Sequence, residues 1–269
     1  MNHVILYDAD CPMCSLYTGA FVKMGMLDEH GREPYQNIPT ELCPFIDRQR
    51  AVDEIALVNR RTGEVSYGIS SLFQIIGNAW PLFKPLFSFK PFTTGMSKLY
   101  TFISANRKVI VPVKVVGNTI QPTFKLKYRL AYLLLTWLIT SIILTEYAKI
   151  LTAIVPLGKA YREYMICGGQ ILVQYVIVGI VNKYKRWDYL GNMMTISFAG
   201  SLLLLPMLLI AQLIAVNTLV KIAYFMAVAG CMLLENARRS NLLELGWTLT
   251  VSWVLYRILV LLIILNAVI

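Results

Sequence analysis

Two cysteines separated by two residues, Cys11-Pro12-Met13-Cys14, stand directly after a short apolar run, Val4-Ile5-Leu6-Tyr7. Thiols three positions apart at the start of a helix share one face, read here as exposed. One can attack a disulfide and the other can resolve the mixed disulfide that forms. A sulfur at a helix N-terminus faces unpaired backbone N–H groups and the positive end of the helix dipole, and both stabilise a thiolate. Cys11 lies closer to that end and is the candidate nucleophile. Cys14, nearly one turn on, is the candidate resolving thiol. Asp8 and Asp10 work against this acidity, because nearby carboxylates raise a thiol pKa. Asp10 could instead cap the helix, and a buried Asp8 could relay a proton from Cys14.

Other chemistry for the pair is a metal site or none. A structural zinc needs four ligands, and the first half of the chain adds only Cys43, His3 and His30 at irregular spacing. No metal and no other cofactor is therefore expected. Cys43-Pro44 could supply an accessory thiol that accepts the disulfide, or be a simple loop cysteine. Cys167 and Cys231 lie in or beside apolar stretches, where cysteine packs as a small hydrophobe.

The elements that must position the pair follow from patterning. Val4–Tyr7 predicts a buried strand, Asp8-Ala9-Asp10 a turn, and Pro12 to Met26 a helix with proline in its tolerated first position. His30 to Pro44 reads as a loop with room for one short strand. Glu54–Asn59, the turn Arg60–Gly63 and Glu64–Tyr67 predict a β-hairpin. Ile69, Leu72, Phe73 and Ile76 keep helical spacing. Trp80 to Phe92 is aromatic and interrupted by Pro81, Pro85 and Pro91, Met96–Lys108 predicts a further helix, and Val109 to Phe124 a connector. The expected organisation is an α/β thioredoxin-like domain over residues 1–110, a connector over 111–125 and an all-α membrane domain over 126–269.

Charge supports that division. Residues 1–125 hold 13 Lys/Arg and 10 Asp/Glu, whereas residues 126–269 hold 12 and 5, clustered between apolar runs. The whole chain is only 15% charged and 57% hydrophobic, against about 25% charged in soluble domains. Five spans are expected, near Tyr128–Thr145, Met165–Val181, Asn192–Leu213, Leu219–Leu234 and Gly246–Val268, with four the alternative because only Ala215-Val216-Asn217 separates the third from the fourth. Lys125, Lys127 and Arg129, then Lys183, Lys185 and Arg186, then Arg238 and Arg239, read as loop charges that fall on one side of five spans. That places the first domain in the cytoplasm and the chain in an integral membrane location, the inner or plasma membrane in a bacterium. Most of the net charge of +10 belongs to the membrane half, which argues against nucleic acid as a partner and for lipid. Arg257 falls near the middle of the last span, where a charge is costly and so marks either function or a polar partner.

Tyr7-Asp8-Ala9-Asp10-Cys11-Pro12-Met13-Cys14 resembles the signature of the DCC family of thiol–disulfide oxidoreductases, which opens with an apolar strand followed by Asp-Gly-x-Cys-x-x-Cys. Glu54–Asn59, Tyr67–Leu72 and Tyr100–Arg107 resemble its later segments, the last of them its closing Tyr-x-x-Ile-Ala-x-x-Arg pattern. The resemblance covers most of residues 1–110. It implies a thioredoxin-like fold, Cys11 and Cys14 as a redox pair acting on a protein or small-molecule disulfide or thiol, and Asp8 as a signature position. Ala9 replaces the family's glycine, and no proline precedes Glu54, where thioredoxins shape their substrate groove. The function expected is a membrane-anchored thiol–disulfide oxidoreductase. The alternatives are a non-catalytic scaffold whose thioredoxin-like domain binds a partner, and a transporter gated by that domain.

Overall fold

Strand β1, His3–Tyr7, forms from the opening apolar run and lies inside a four-stranded sheet. The computed structural model describes residues 3–37, 46–114, 120–156 and 158–266. Two compact units follow one another along the chain, Met1–Tyr128 and Arg129–Ile269.

In the first unit the sheet order is β2-β1-β3-β4, with β2 at Arg32–Pro34, β3 at Ala56–Asn59 and β4 at Val65–Tyr67. β2 runs parallel to β1, while β3 and β4 are antiparallel to their neighbours. This is a mixed α/β domain with thioredoxin-like strand order. Alternation along the strands sorts the side chains onto two faces. Ile5 and Leu57 pair across the sheet and pack with Met26, Leu27, Ile55 and Ile75. Val4, Leu6 and Ala56 point the other way, against Ala51.

Among the described residues five α-helices cover the sheet or extend from it: α1 (Pro12–Lys23), α2 (Arg48–Asp53), α3 (Ile69–Ala79), α4 (Lys84–Ser88) and α5 (Lys90–Ile110). Helix α1 stops three residues before the expected Met26, because Gly25 turns into the left-handed region at φ 69°. Helix α5 begins six residues before the expected Met96. Pro91 sits in its first turn, where a missing N–H costs nothing, so it starts the helix and does not break it. The residues read as a connector include the end of α5, and Thr123 N–H donates to Asp53 Oδ1 at 2.7 Å, tying that segment back to the domain.

Gly68 enters α3 at φ 64° and ψ −139°, a conformation nearly reserved for glycine. A Cβ there would come within 2.9 Å of Glu54 Oε2. Gly68→Ala is expected to lower the unfolding free energy by about 1–3 kcal/mol, seen as a reduced melting temperature of the purified chain, while Gly63→Ala, with open space around it, costs less.

The second unit contains α6 (Leu126–Lys149), α7 (Arg162–Val181), α8 (Arg186–Leu213), α9 (Thr218–Leu242) and α10 (Thr248–Asn266). Among the described residues five helices are long and apolar enough to cross a membrane. The third and fourth are separate elements. The chain leaves α8 at Leu213 and re-enters a helix at Thr218, where the Asn217 side chain caps α9 by accepting from Leu219 N–H at 2.9 Å. Arg238 and Arg239, expected in a loop, lie in the last turns of α9, where both bind Glu235 at 2.7 Å. The helix thus runs beyond its apolar stretch, to Leu242. Leu213, Leu219, Leu259 and Ile263 are among many large apolar side chains on the outside of this unit. Exposure on that scale suits hydrocarbon as the surrounding medium.

Candidate functional site

Cys11 is the N-cap of α1. Its Sγ accepts a hydrogen bond from the Cys14 backbone N–H at 3.4 Å. The capping role open to Asp10 in the sequence is thus taken by Cys11, and the Asp10 N–H instead donates to Asp8 Oδ1 at 3.1 Å. The physical reason is position. Cys11 has the extended backbone of a cap (φ −101°, ψ 107°), and its side chain is the one that reaches the free amides of the first turn.

The two sulfurs are not exposed as the sequence suggested. Cys11 is 7% and Cys14 3% accessible, and they pack with Tyr7, flanked by Met13 and Tyr17. Both thiols are free. Their acidities are driven apart. Cys11 is lowered to about 6, chiefly by a hydrogen bond from the Cys14 thiol, with the Cys14 N–H and the Arg107 charge adding to it against burial and Asp8. Cys14 is raised, first because its proton is held by the Cys11 sulfur and then because burial penalises a second thiolate beside the first. The helix amide contributes to Cys11, but the neighbouring thiol contributes more.

Asp8 is buried and accepts from three donors. Arg107 Nη2 lies 3.1 Å from Oδ2, and Oδ1 receives Gln36 Nε2 at 3.0 Å together with the Asp10 N–H. Arg107 is buried as well, and its Nη2 also donates to the Val52 carbonyl at 2.6 Å. Sequence reading matched it to the closing pattern of the resemblance but gave it no place in the site. On the sequence alone it falls near the end of the helix expected over Met96–Lys108. Its signal lay in the closing Tyr100–Arg107 pattern, whose two ends lie seven residues apart on one helical face. Tyr100 Oη accepts from Ile55 N–H at 3.2 Å and Arg107 reaches Val52, so both ends grip the segment leading into β3. Asp8 and Arg107 are 99 positions apart in sequence, which is why spacing gave no hint of the pair.

Cys43 lies outside the described residues. Among the described residues no three His, Cys, Asp or Glu side chains gather as a metal site would need. Arg257 belongs to α10 in the second unit, where its guanidinium stacks 5.5 Å from the centre of the Trp253 ring. What the first unit brings together is a cysteine pair of split acidity, a buried arginine that favours negative charge on sulfur, and a carboxylate that holds the arginine. No protein-family model, curated protein or solved structure matches this chain.

Proposed function

We propose that the chain is a membrane-anchored thiol–disulfide oxidoreductase of the kind found in the DCC family, with Cys11 as nucleophile and Cys14 as resolving thiol. The observation that carries this reading is a cysteine pair at a helix cap, Cys11 Sγ accepting from the Cys14 N–H beside the buried Arg107, an arrangement that favours a thiolate on Cys11 over one on Cys14. Cys11 thiolate attacks a substrate disulfide, forming a mixed disulfide and releasing one substrate thiolate. Cys14 then gives up its proton and attacks the Cys11 sulfur. The second substrate thiolate leaves, and the protein carries a Cys11–Cys14 disulfide. Two electrons have passed to the substrate. In the reverse direction a dithiol donates two electrons and restores the pair. Asp8 acts as a positioning residue through Arg107, since its oxygens are already engaged by three donors.

A second reading, a partner-binding scaffold with an inert pair, is favoured by the burial of both sulfurs. Redox equilibration of the full chain in nanodiscs against glutathione separates the two. An oxidoreductase gives a two-electron titration that Cys11→Ser and Cys14→Ser each abolish, and a scaffold gives none.

The same reading puts the first unit on the cytoplasmic side. Lys125, Lys127 and Arg129 precede or open α6, Lys183, Lys185 and Arg186 join α7 to α8, and Arg238 and Arg239 close α9, three ends that five alternating spans bring to one side. Fusion of a periplasm-dependent phosphatase to the C-terminus in a bacterial host is expected to be active, and fusion of the same reporter after Tyr184 inactive. The opposite pattern overturns this orientation.

A further inference from the structure

Buried polar atoms without a hydrogen-bond partner recur on three helices of the second unit. Among the described residues ten such side-chain atoms occur, and six belong to Thr140, Ser141, Gln170, Trp253 and Arg257. These residues come from α6, α7 and α10. Two contacts set their level. Cys167 of α7 sits against Ser141 and Arg257, where its thiol is near enough to interact with both, so Gln170 is the side chain left with neither amide atom partnered. Gln174, seven positions later on the same buried face of α7, donates from Nε2 to Ser252 Oγ at 3.1 Å. As α7 runs from 167 to 174, α10 runs back from 257 to 252. Gln170 therefore falls between the two contacts, in the layer that holds Trp253 and Arg257.

Gln170 is 1% accessible, and both of its amide atoms are unpaired. Among the described residues no carboxylate pairs with Arg257, and Glu163, the acidic residue that acts on Cys167, is held by Arg162 at 2.8 Å. Unmet polar groups and an unbalanced charge are expensive in hydrocarbon. Donors also prevail in the layer. Arg257 Nε, Trp253 Nε1 and the Gln170 amide nitrogen donate only, the two hydroxyls can do either, and the Gln170 carbonyl alone is restricted to accepting.

We propose that α6, α7 and α10 form an intramembrane site for the oxyanion head of an amphipathic ligand, a carboxylate or phosphate whose hydrocarbon tail lies among the apolar helices. Arg257 supplies the charge, and Gln170 and Ser141 supply directed hydrogen bonds. The site rests on the membrane reading of the five helices and is independent of the cysteine chemistry.

Native mass spectrometry of the full chain in a neutral detergent tests it with three probes: oleate, a dioleoyl phosphatidylglycerol, and oleyl alcohol as the uncharged control. One equivalent of at least one anion is expected to bind at a concentration about tenfold or more below that needed for oleyl alcohol, a tenfold step being one decade in dissociation constant. Retention of oleate alone assigns a fatty carboxylate, and retention of the phospholipid assigns a lipid phosphate. Arg257→Gln is expected to remove the preference. Gln170→Leu keeps the shape of the site while removing its unpaired amide, so it should weaken anion binding with the melting temperature unchanged or raised. It decides the matter if Arg257→Gln fails to fold. Equal binding of anion and alcohol, a layer that takes up only water and no anion, or a preference that survives in every folded variant overturns the site.

Discussion

Cys11→Ser is expected to abolish thiol–disulfide exchange, and Cys14→Ser to leave a protein that attacks once and stops. A serine hydroxyl is not appreciably ionised without an adjacent base, so the loss in Cys11→Ser should be at least about a thousandfold. In Cys14→Ser the mixed disulfide on Cys11 has no resolving thiol and accumulates, which makes this variant the means of capturing the substrate. The pH dependence carries the sign of the shift. With Cys11 near 6, its thiolate is half formed at that pH and falls about tenfold for each further unit of acidity, whereas an ordinary thiol near 8.5 is still mostly protonated at neutrality. The alkylation rate of Cys11 by iodoacetamide should therefore rise through pH 6 and level off above about 7. Cys14→Ala removes the thiol that donates to Cys11, the largest cause of the shift, so its alkylation midpoint should move upward. Because Cys11 is 7% accessible, small reagents should react faster than protein disulfides until a bound partner uncovers the sulfur. A midpoint near 8.5 in the unmodified chain, with no trapped mixed disulfide, would leave the scaffold reading in possession.

The second large effect concerns Asp8 and Arg107. Asp8→Leu leaves the Arg107 guanidinium buried without its carboxylate, and breaking a buried pair from one side costs about 3–5 kcal/mol. Arg107→Met should also destabilise, since Asp8 and the Val52 carbonyl lose their shared donor. The double variant Asp8→Leu with Arg107→Met is expected to recover much of that loss, because apolar side chains replace both charges together. Chemical denaturation of the four proteins measures the cycle. A positioning role adds a prediction that stability alone does not make. Arg107 lowers the Cys11 pKa and Asp8 raises it. Arg107→Met should move the alkylation midpoint up, and Asp8→Asn should move it down. Midpoints that stay fixed in both would reduce the pair to a structural tie.

Much of the first unit could be read from local pattern. Val4–Tyr7 had to be a buried strand, Pro12 had to open a helix, and the hairpin between Glu54 and Tyr67 followed from its turn residues. Helix α2 escaped because a single turn and a half over Arg48–Asp53 has too few positions to show a period. The five apolar helices were legible because hydrocarbon demands about 20 apolar residues in succession. Their ends were not, because Arg238 and Arg239 continue a helix that hydropathy alone would stop at Leu234.

By itself, then, the order of amino acids determined what neighbours along the chain can decide: two thiols one turn apart at a helix mouth, alternating strands, and spans of membrane length. Tertiary structure decided what depends on distant residues. It buried both sulfurs, carried Arg107 across 99 positions to Asp8, and so set the Arg107 charge near Cys11. It also brought Ser141 of α6 and Arg257 of α10 against Cys167 of α7. The difference is physical. Backbone capping and periodicity act within a few residues, whereas burial and charge pairing act through space, between groups that meet only when the chain has folded.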